Sequence, residues 1–212
     1  MIQRVYEQAV KAKSLSGVVG ATDDQRIFEH VKNFGGNAVM TSPAHANGTE
    51  RCAEALTLSG KQFDAVINIQ GDEPFIYPEQ IDLVAGCLLQ EGAEIATLVK
   101  RMEASEEKNN SSIVKVTVYQ GEAMNFSRAL LPPTPDVSVQ AATYFFKHIG
   151  IYGFKADTLK RLVQLISTDR EKSESLEQLR WLDNGYKIKV RETVFETQAV
   201  DTPGDIEKLL NG

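Results

Sequence analysis

Residues 65–74 read AVINIQGDEP, and this stretch decides the fold class. Ala65, Val66, Ile67 and Ile69 form a short, largely β-branched apolar run interrupted by Asn68. Such a run predicts a strand in the middle of a parallel sheet, buried on both faces. Gln70, Gly71, Asp72, Glu73 and Pro74 stop it abruptly. In an open α/β sheet, ligands sit outside the carboxyl ends of the strands. Asp72 therefore stands where an acid that binds a metal or a substrate is expected. A plain surface turn rich in Gly, Asp and Pro has the same composition, and position alone leaves both readings open.

The surrounding sequence has the pattern of an α/β protein. Upstream, Ile2, Val5, Tyr6, Ala9 and Val10 recur at helical spacing and predict an amphipathic helix over 1–13. A short strand over 16–21, a helix over 24–34 ended by Gly35-Gly36, and a strand over 37–41 follow. The polar loop 42–51, SPAHANGTER, leads into a helix reaching about Ser59, with Asn47 as its cap and Glu50 at capping-box spacing. Downstream, a helix with Pro78 in its first turn precedes a strand over 94–100. Alternating strands and helices up to residue 100 predict a mostly parallel, Rossmann-like sheet flanked by helices. From about 101 to 155 strands follow one another without intervening helices: 113–119, 124–131 and the aromatic run 144–154. This stretch is expected to form a smaller antiparallel insert within one domain spanning 1–212, and to supply dimer contacts. Helices are expected over 156–166 and from Thr168 to Gly185, then a strand over 186–192 and a last helix after Thr202-Pro203.

Composition narrows the class. Of 212 residues, 42% are hydrophobic and 25% charged, as in an ordinary globular protein. A formal net charge of -6 argues against nucleic acid as a partner for the whole surface. No apolar run is long enough to span a bilayer, and the amphipathic start lacks the pattern of a secretory signal. Cys52 and Cys87 have no paired spacing and read as buried thiols of a reducing compartment.

Some chemistries have no signature here. His30, His45 and His148 are scattered without zinc spacing, and no nucleophile elbow, Walker loop or GxGxxG is present. Two strand exits carry acids, Gly71-Asp72-Glu73-Pro74 and Val200-Asp201-Thr202-Pro203. Two carboxylates converging at one sheet edge would suit magnesium, which takes oxygen ligands and leaves room for phosphates. Asp201 reads equally as a helix-capping acid. Gly48 at a helix start, followed by free N–H groups, is an anion site in outline, with Arg51 one turn further on. An ordinary helix entry reads the same way. Glu177 and Gln178 lie on a helix whose leucines face the core, and the residues alone read as a solvated face.

Taken together, HANGTER (45–51), NIQGDEP (68–74), NFSRALLP (125–132), KHIGIYGF (147–154), LEQLR (176–180) and AVDTP (199–203) resemble the 3-deoxy-manno-octulosonate cytidylyltransferase family. The likeness runs along nearly the whole chain. It implies a nucleotidyltransferase fold and transfer of CMP from CTP to the eight-carbon sugar acid Kdo. Pyrophosphate is released, and the product feeds lipopolysaccharide synthesis. It further implies a cytoplasmic homodimer with no membrane or nucleic-acid partner. By the resemblance, Asp72 and Asp201 are the Mg2+ carboxylates and, with Arg128, the catalytic set. Asn47, Gly48 and Arg51 look like part of the cytidine nucleotide pocket, and Gln70 is a further substrate-binding residue. Arg128, His148, Tyr152, Glu177 and Gln178 look like the sugar-acid site. The family opens with an apolar strand and a loop of Arg, Gly and Lys around the triphosphate, whereas this chain begins at the first helix. The expectation is a sequence that lacks this start. A cytidylyltransferase for a related sugar acid and a non-catalytic truncated fragment are the alternatives.

Overall fold

The computed structural model describes residues 1–102, 109–131, 134–135, 143–196, 200 and 204. The chain divides into two compact units. The first comprises Met1–Phe63, Asn68–Asp82 and Thr197–Gly212, and the second Asp64–Ile67 and Leu83–Glu196.

In the first unit, helix α1 (Ile2–Ala9) buries Val5 and Ala9. Tyr6 pins it, donating its hydroxyl to Val18 O at 3.1 Å and accepting from Asn37 N at 3.0 Å. Strand β1 (Gly20–Thr22) pairs in parallel with β2 (Ala38–Met40). Between them runs α2 (Gln25–Asn33), capped by Asp24, whose carboxylate accepts from Arg26 N and Ile27 N. It ends at Gly35, where φ is +83°, a conformation that favours glycine. Helix α3 (Gly48–Leu58) starts at Asn47, whose side chain accepts from Glu50 N at 2.9 Å, as the capping pattern predicts.

The second unit holds the larger sheet. Its strands are β3 (Ala65–Asn68), β4 (Ile95–Met102), β5 (Lys115–Tyr119), β6 (Glu122–Ser127), β7 (Thr134–Pro135), β8 (Thr143–Lys155) and β9 (Ile188–Glu192). The order is β3-β8-β4-β9-β6-β5, with β7 on β8 and β5 also paired to β8. Helix α4 (Pro78–Leu88) precedes β4, and α5 (Ala156–Leu162) follows β8 directly. Helices α6 (Asp169–Glu174) and α7 (Gln178–Asp183) come before β9. The core gathers Ile95, Leu98, Phe154, Leu159, Leu162, Leu179, Trp181 and Ile188, each at most 1% exposed. Trp181 meets Phe154 edge-on at 5.3 Å and Tyr152 at 5.0 Å. Each such ring pair adds about 0.5–1.5 kcal/mol beyond area burial.

The α/β class is present, with mixed pairing. β1–β2 and β4–β9 are parallel. β4–β8, β5–β6, β5–β8, β6–β9 and β7–β8 are antiparallel. The stretch expected as an antiparallel insert contributes β5, β6 and β8. Strand β3, expected in mid-sheet, stands at the end of the strand order and is half-buried along its length. An apolar β-branched run is satisfied by a strand covered on one side as well as on two. At Gly153 the packing around β3 is close: a Cβ there would lie 2.6 Å from Val84, 2.9 Å from Ile67 and 2.9 Å from Leu88.

The single helix expected from Thr168 to Gly185 is two. Thr168 and Glu171 form the expected capping box, but Ser175 adopts φ +54° and ends α6. The freed carbonyl of Glu174 accepts from Arg128 Nε at 3.0 Å, so the break is satisfied from β6's end. The last helix expected after Thr202 lies outside the described residues.

Candidate active site

The expected site residues fall into two groups, one in each unit. In the first unit, β1 and β2 end at residues that meet Arg51. Its guanidinium donates to Thr41 Oγ1 at 2.7 Å and pairs with Asp23 at 3.2 Å. Asn47 is occupied as the α3 cap, and Gly48 lies so close to Asn68 that a Cβ would come within 3.2 Å of its amide nitrogen. The loop before α3 is fastened by Glu54, which sequence reading passed over, and by Glu50, the residue at capping-box spacing. Glu54 accepts from Ser42 N at 2.7 Å and pairs with His45 Nε2 at 2.6 Å. Glu50 accepts from Ala46 N at 2.9 Å. The Ser42 N–H and then His45 hold the Glu54 carboxyl below its usual range. Helical spacing of Glu50 and Glu54 behind a polar loop was the available signal.

Gln70 and Asp72 sit on the turn after β3, where Glu73 N donates to Gln70 O at 3.3 Å. Asp72 is half-buried, and its carbonyl accepts from Val200 N at 2.8 Å. Asp201 lies outside the described residues. Among the described residues, no cluster of three or more His, Cys, Asp or Glu stands ready for a metal.

In the second unit the expected sugar-side residues are gathered. β8 carries His148 and Tyr152, their rings 5.1 Å apart, and Phe126 of β6 meets His148 edge-on at 5.4 Å. His148 Nε2 lies 3.0 Å from Thr97 Oγ1. Burial pushes the imidazole pKa down to about 3, so the ring is neutral at ordinary pH. Burial, and then the Glu177 charge, push the Tyr152 phenol well above its ordinary value. Glu177 pairs with Arg180 at 2.7 Å. Gln178, read from the residues alone as part of a solvated face, is 5% exposed and packs in the core. Gln178 opens α7, beyond the break at Ser175.

Arg128 follows β6. Its main-chain N–H donates to the Glu174 carboxylate at 3.0 Å, and Ser127 Oγ donates to the same group at 2.7 Å. Its guanidinium donates to the carbonyls of Glu174 at 3.0 Å and Ser111 at 3.5 Å. Among the described residues, no carboxylate pairs with that guanidinium. Beside it is Lys115, 1% exposed, whose ammonium donates to Arg128 O at 2.8 Å and to Asn110 O. The alternation of β5 places Lys115 on the polar face by sequence. In the structure it is buried, with main-chain carbonyls replacing water. Burial, and then Arg128, lower its pKa.

In the first unit, a parallel strand pair with Arg51 at its carboxyl end and an acid on a strand-exit turn suit a phosphorylated substrate. In the second, Arg128, its guanidinium held by main-chain carbonyls, suits a carboxylate. The cytidylyltransferase family profile matches residues 1–188. The chain belongs to this family. It is similar to the 3-deoxy-manno-octulosonate cytidylyltransferase of Parabacteroides distasonis, at 46% identity over 99% of this chain and 86% of that protein. The enzyme of the same name from Cytophaga hutchinsonii matches at 46% identity over 99% and 85%. Among solved structures, a CMP:2-keto-3-deoxy-manno-octonic acid synthetase complexed with CTP superposes with a TM-score of 0.87. It is 38% identical and covers 98% of this chain and 85% of that one.

Proposed function

We propose that this chain transfers CMP from CTP to Kdo, releasing pyrophosphate and giving CMP-Kdo for lipopolysaccharide synthesis. The relatives' names supply the reaction. The observation that carries it into this structure is Arg128. Its guanidinium is oriented by main-chain carbonyls and left without a carboxylate of its own among the described residues. A planar fork held in this way suits the two oxygens of a sugar acid's carboxylate. His148, Tyr152, Glu177 and Gln178 bind the sugar hydroxyls. Asn47, Gly48 and Arg51 serve the nucleotide, and Gln70 is a further substrate-binding residue.

The anomeric hydroxyl attacks the α-phosphate in line, and positioning and charge neutralisation supply most of the rate. A Mg2+ ion, held by Asp72 and Asp201, supplies charge neutralisation at the phosphates when bound. The Asp72 carboxylate is a hard oxygen donor, half-buried on a strand-exit turn. The Val200 N–H bond to the Asp72 carbonyl ties Asp201's covalent neighbour to that turn. Further parts of the proposal are a Rossmann-like nucleotidyltransferase sheet, a homodimer and a cytoplasmic location. The parallel β1–β2 pair supports the first. Tyr119 and Met124, 48% and 54% exposed on the expected insert, support the second. The likeness to the relatives supports the third. Among the described residues, no helix is long and apolar enough to cross a membrane.

The test is pyrophosphate release from CTP plus Kdo. Turnover is expected with Mg2+, to be lost with EDTA and restored by added Mg2+. Asp72→Asn is expected to lower kcat by about a thousandfold. Equal turnover with other sugar acids would move the assignment to a related substrate. Absence of turnover in the folded protein would overturn it.

A further inference from the structure

Thr97 lies inside β4 and is fully buried. Opposite it, the β4–β8 register jumps from Thr97↔Tyr152 to Leu98↔Ile149. The Thr97 hydroxyl fills this irregularity. It lies 2.7 Å from Ile151 O, 3.3 Å from Ile149 O and 3.0 Å from His148 Nε2. A hydroxyl has one proton and two lone pairs, whereas a carbonyl oxygen only accepts. At 2.7 Å the contact to Ile151 O requires the threonine proton, since two bare oxygens at that distance repel. The Thr97 oxygen is then an acceptor toward His148, and the imidazole must bring the proton on Nε2. The neutral ring consequently leaves Nδ1 with its lone pair. Among the described residues Nδ1 has no hydrogen-bond partner, and His148 as a whole residue is half-buried.

We propose that Thr97 is a positioning residue that fixes His148 in the Nε2–H tautomer, so that Nδ1 accepts a hydrogen bond from a hydroxyl of the sugar acid. This rests on the reading of the His148–Tyr152 cluster as the sugar-acid site. The opposite tautomer would present a donor at Nδ1 and meet a sugar hydroxyl only through its oxygen lone pair. A buried Thr in an apolar strand thus sets the polarity of a ligand contact without touching the ligand. The depressed pKa of His148 is in keeping with this, because a doubly protonated ring would offer no acceptor.

The experiment uses protein labelled with 15N at the histidine rings, read by long-range 1H–15N correlation. His148 is assigned by the signals lost in His148→Gln. The wild type is expected to show a protonated Nε2 and a bare Nδ1, and added Kdo is expected to shift the Nδ1 resonance while leaving Nε2 in place. Thr97→Val removes the hydroxyl and is expected to give a tautomer mixture. It should raise the KM for Kdo about tenfold, with kcat and the KM for CTP within about twofold. Thr97→Ser should restore both the tautomer and the KM. A wild-type proton on Nδ1 would overturn the proposal. So would an unchanged tautomer in Thr97→Val, or a Thr97→Ser variant that matches Thr97→Val. If Thr97→Val fails to fold, the wild-type tautomer, the Kdo-induced shift and Thr97→Ser still decide. Absent turnover with Kdo in the wild type would refute the functional reading, whereas the NMR outcome reads the tautomer separately.

Discussion

The nucleotide-side loop of the first unit and the sugar-side cluster of the second are held by different physics. Loop 42–47 is fastened to α3 by Glu50 and Glu54, whose side chains are 25% and 31% exposed. Around Tyr152, by contrast, Phe154 and Trp181 are at most 1% exposed, and the polar groups are set by buried partners such as Thr97. Surface ion pairs are weak and screened, whereas packed aromatic cores are rigid. The first arrangement leaves a loop that a nucleotide can remodel at low cost. The second leaves a cluster whose geometry is set by packing, as the proposed sugar binding would require when one hydroxyl must be aimed at phosphorus. Each contrast implies a response to pH or mutation that can break it.

The largest response is expected from His148. Its folded ring stays neutral down to about 3, while the unfolded ring titrates near 6.5. Below 6.5 the unfolded chain therefore binds more protons, and stability falls as pH falls. The slope from this residue is up to about 1.4 kcal/mol per pH unit, or roughly 2 to 3 kcal/mol lost by pH 4.5. Urea unfolding at pH 7.0, 5.5 and 4.5 measures it, and His148→Gln should flatten the slope. An equal slope in the variant would show that burial does not hold the folded His148 ring neutral.

Gly153→Ala tests the packing directly. The added Cβ would meet Val84 at 2.6 Å, with Ile67 and Leu88 also inside contact distance. Overpacking of this kind costs about 1–3 kcal/mol. The urea midpoint should fall accordingly, with the KM for CTP unchanged in the fraction that remains folded. A neutral result would mean that β3 and α4 yield easily, and the contrast between a rigid and a pliable region would fail.

What the sequence made legible divides along similar lines. Local chemistry announced itself: Asn47 caps α3, Thr168 and Glu171 form their box, and Gly35 takes the left-handed end. The motifs also named His148 and Tyr152, whose rings the second unit sets 5.1 Å apart. Long-range placement was hidden. The run 65–69 reads as central, but a strand's neighbours are not written in its own residues. Lys115 alternates as a surface residue and is buried, because the carbonyls of Asn110 and Arg128 come from elsewhere in the chain. Thr97, between Ala96 and Leu98, carries no mark of function, since its partners lie more than fifty residues away. The break at Ser175 depends on Arg128 taking a helix-end carbonyl, which no helical periodicity reveals.

Glu54→Gln should give the smallest effect and the cleanest separation of the two regions. The glutamine keeps an acceptor for Ser42 N but loses the charge that pairs with His45. Because the pair is only partly buried, global stability should move little. The KM for CTP should rise roughly threefold through a looser loop, while the KM for Kdo stays put. Acid should mimic the substitution. Glu54 titrates below its ordinary 4.5 in the folded chain. Its contribution is therefore intact above 4.5 and lost as pH falls through the lowered folded value. Hydrogen exchange at the Ser42 amide reads this directly: protection should drop in Glu54→Gln at neutral pH, and in the wild type only at acid pH. A rise in the KM for Kdo instead would mean that the loop's fastening reaches the sugar side, and the division into a pliable nucleotide side and a preset sugar side would have to be given up.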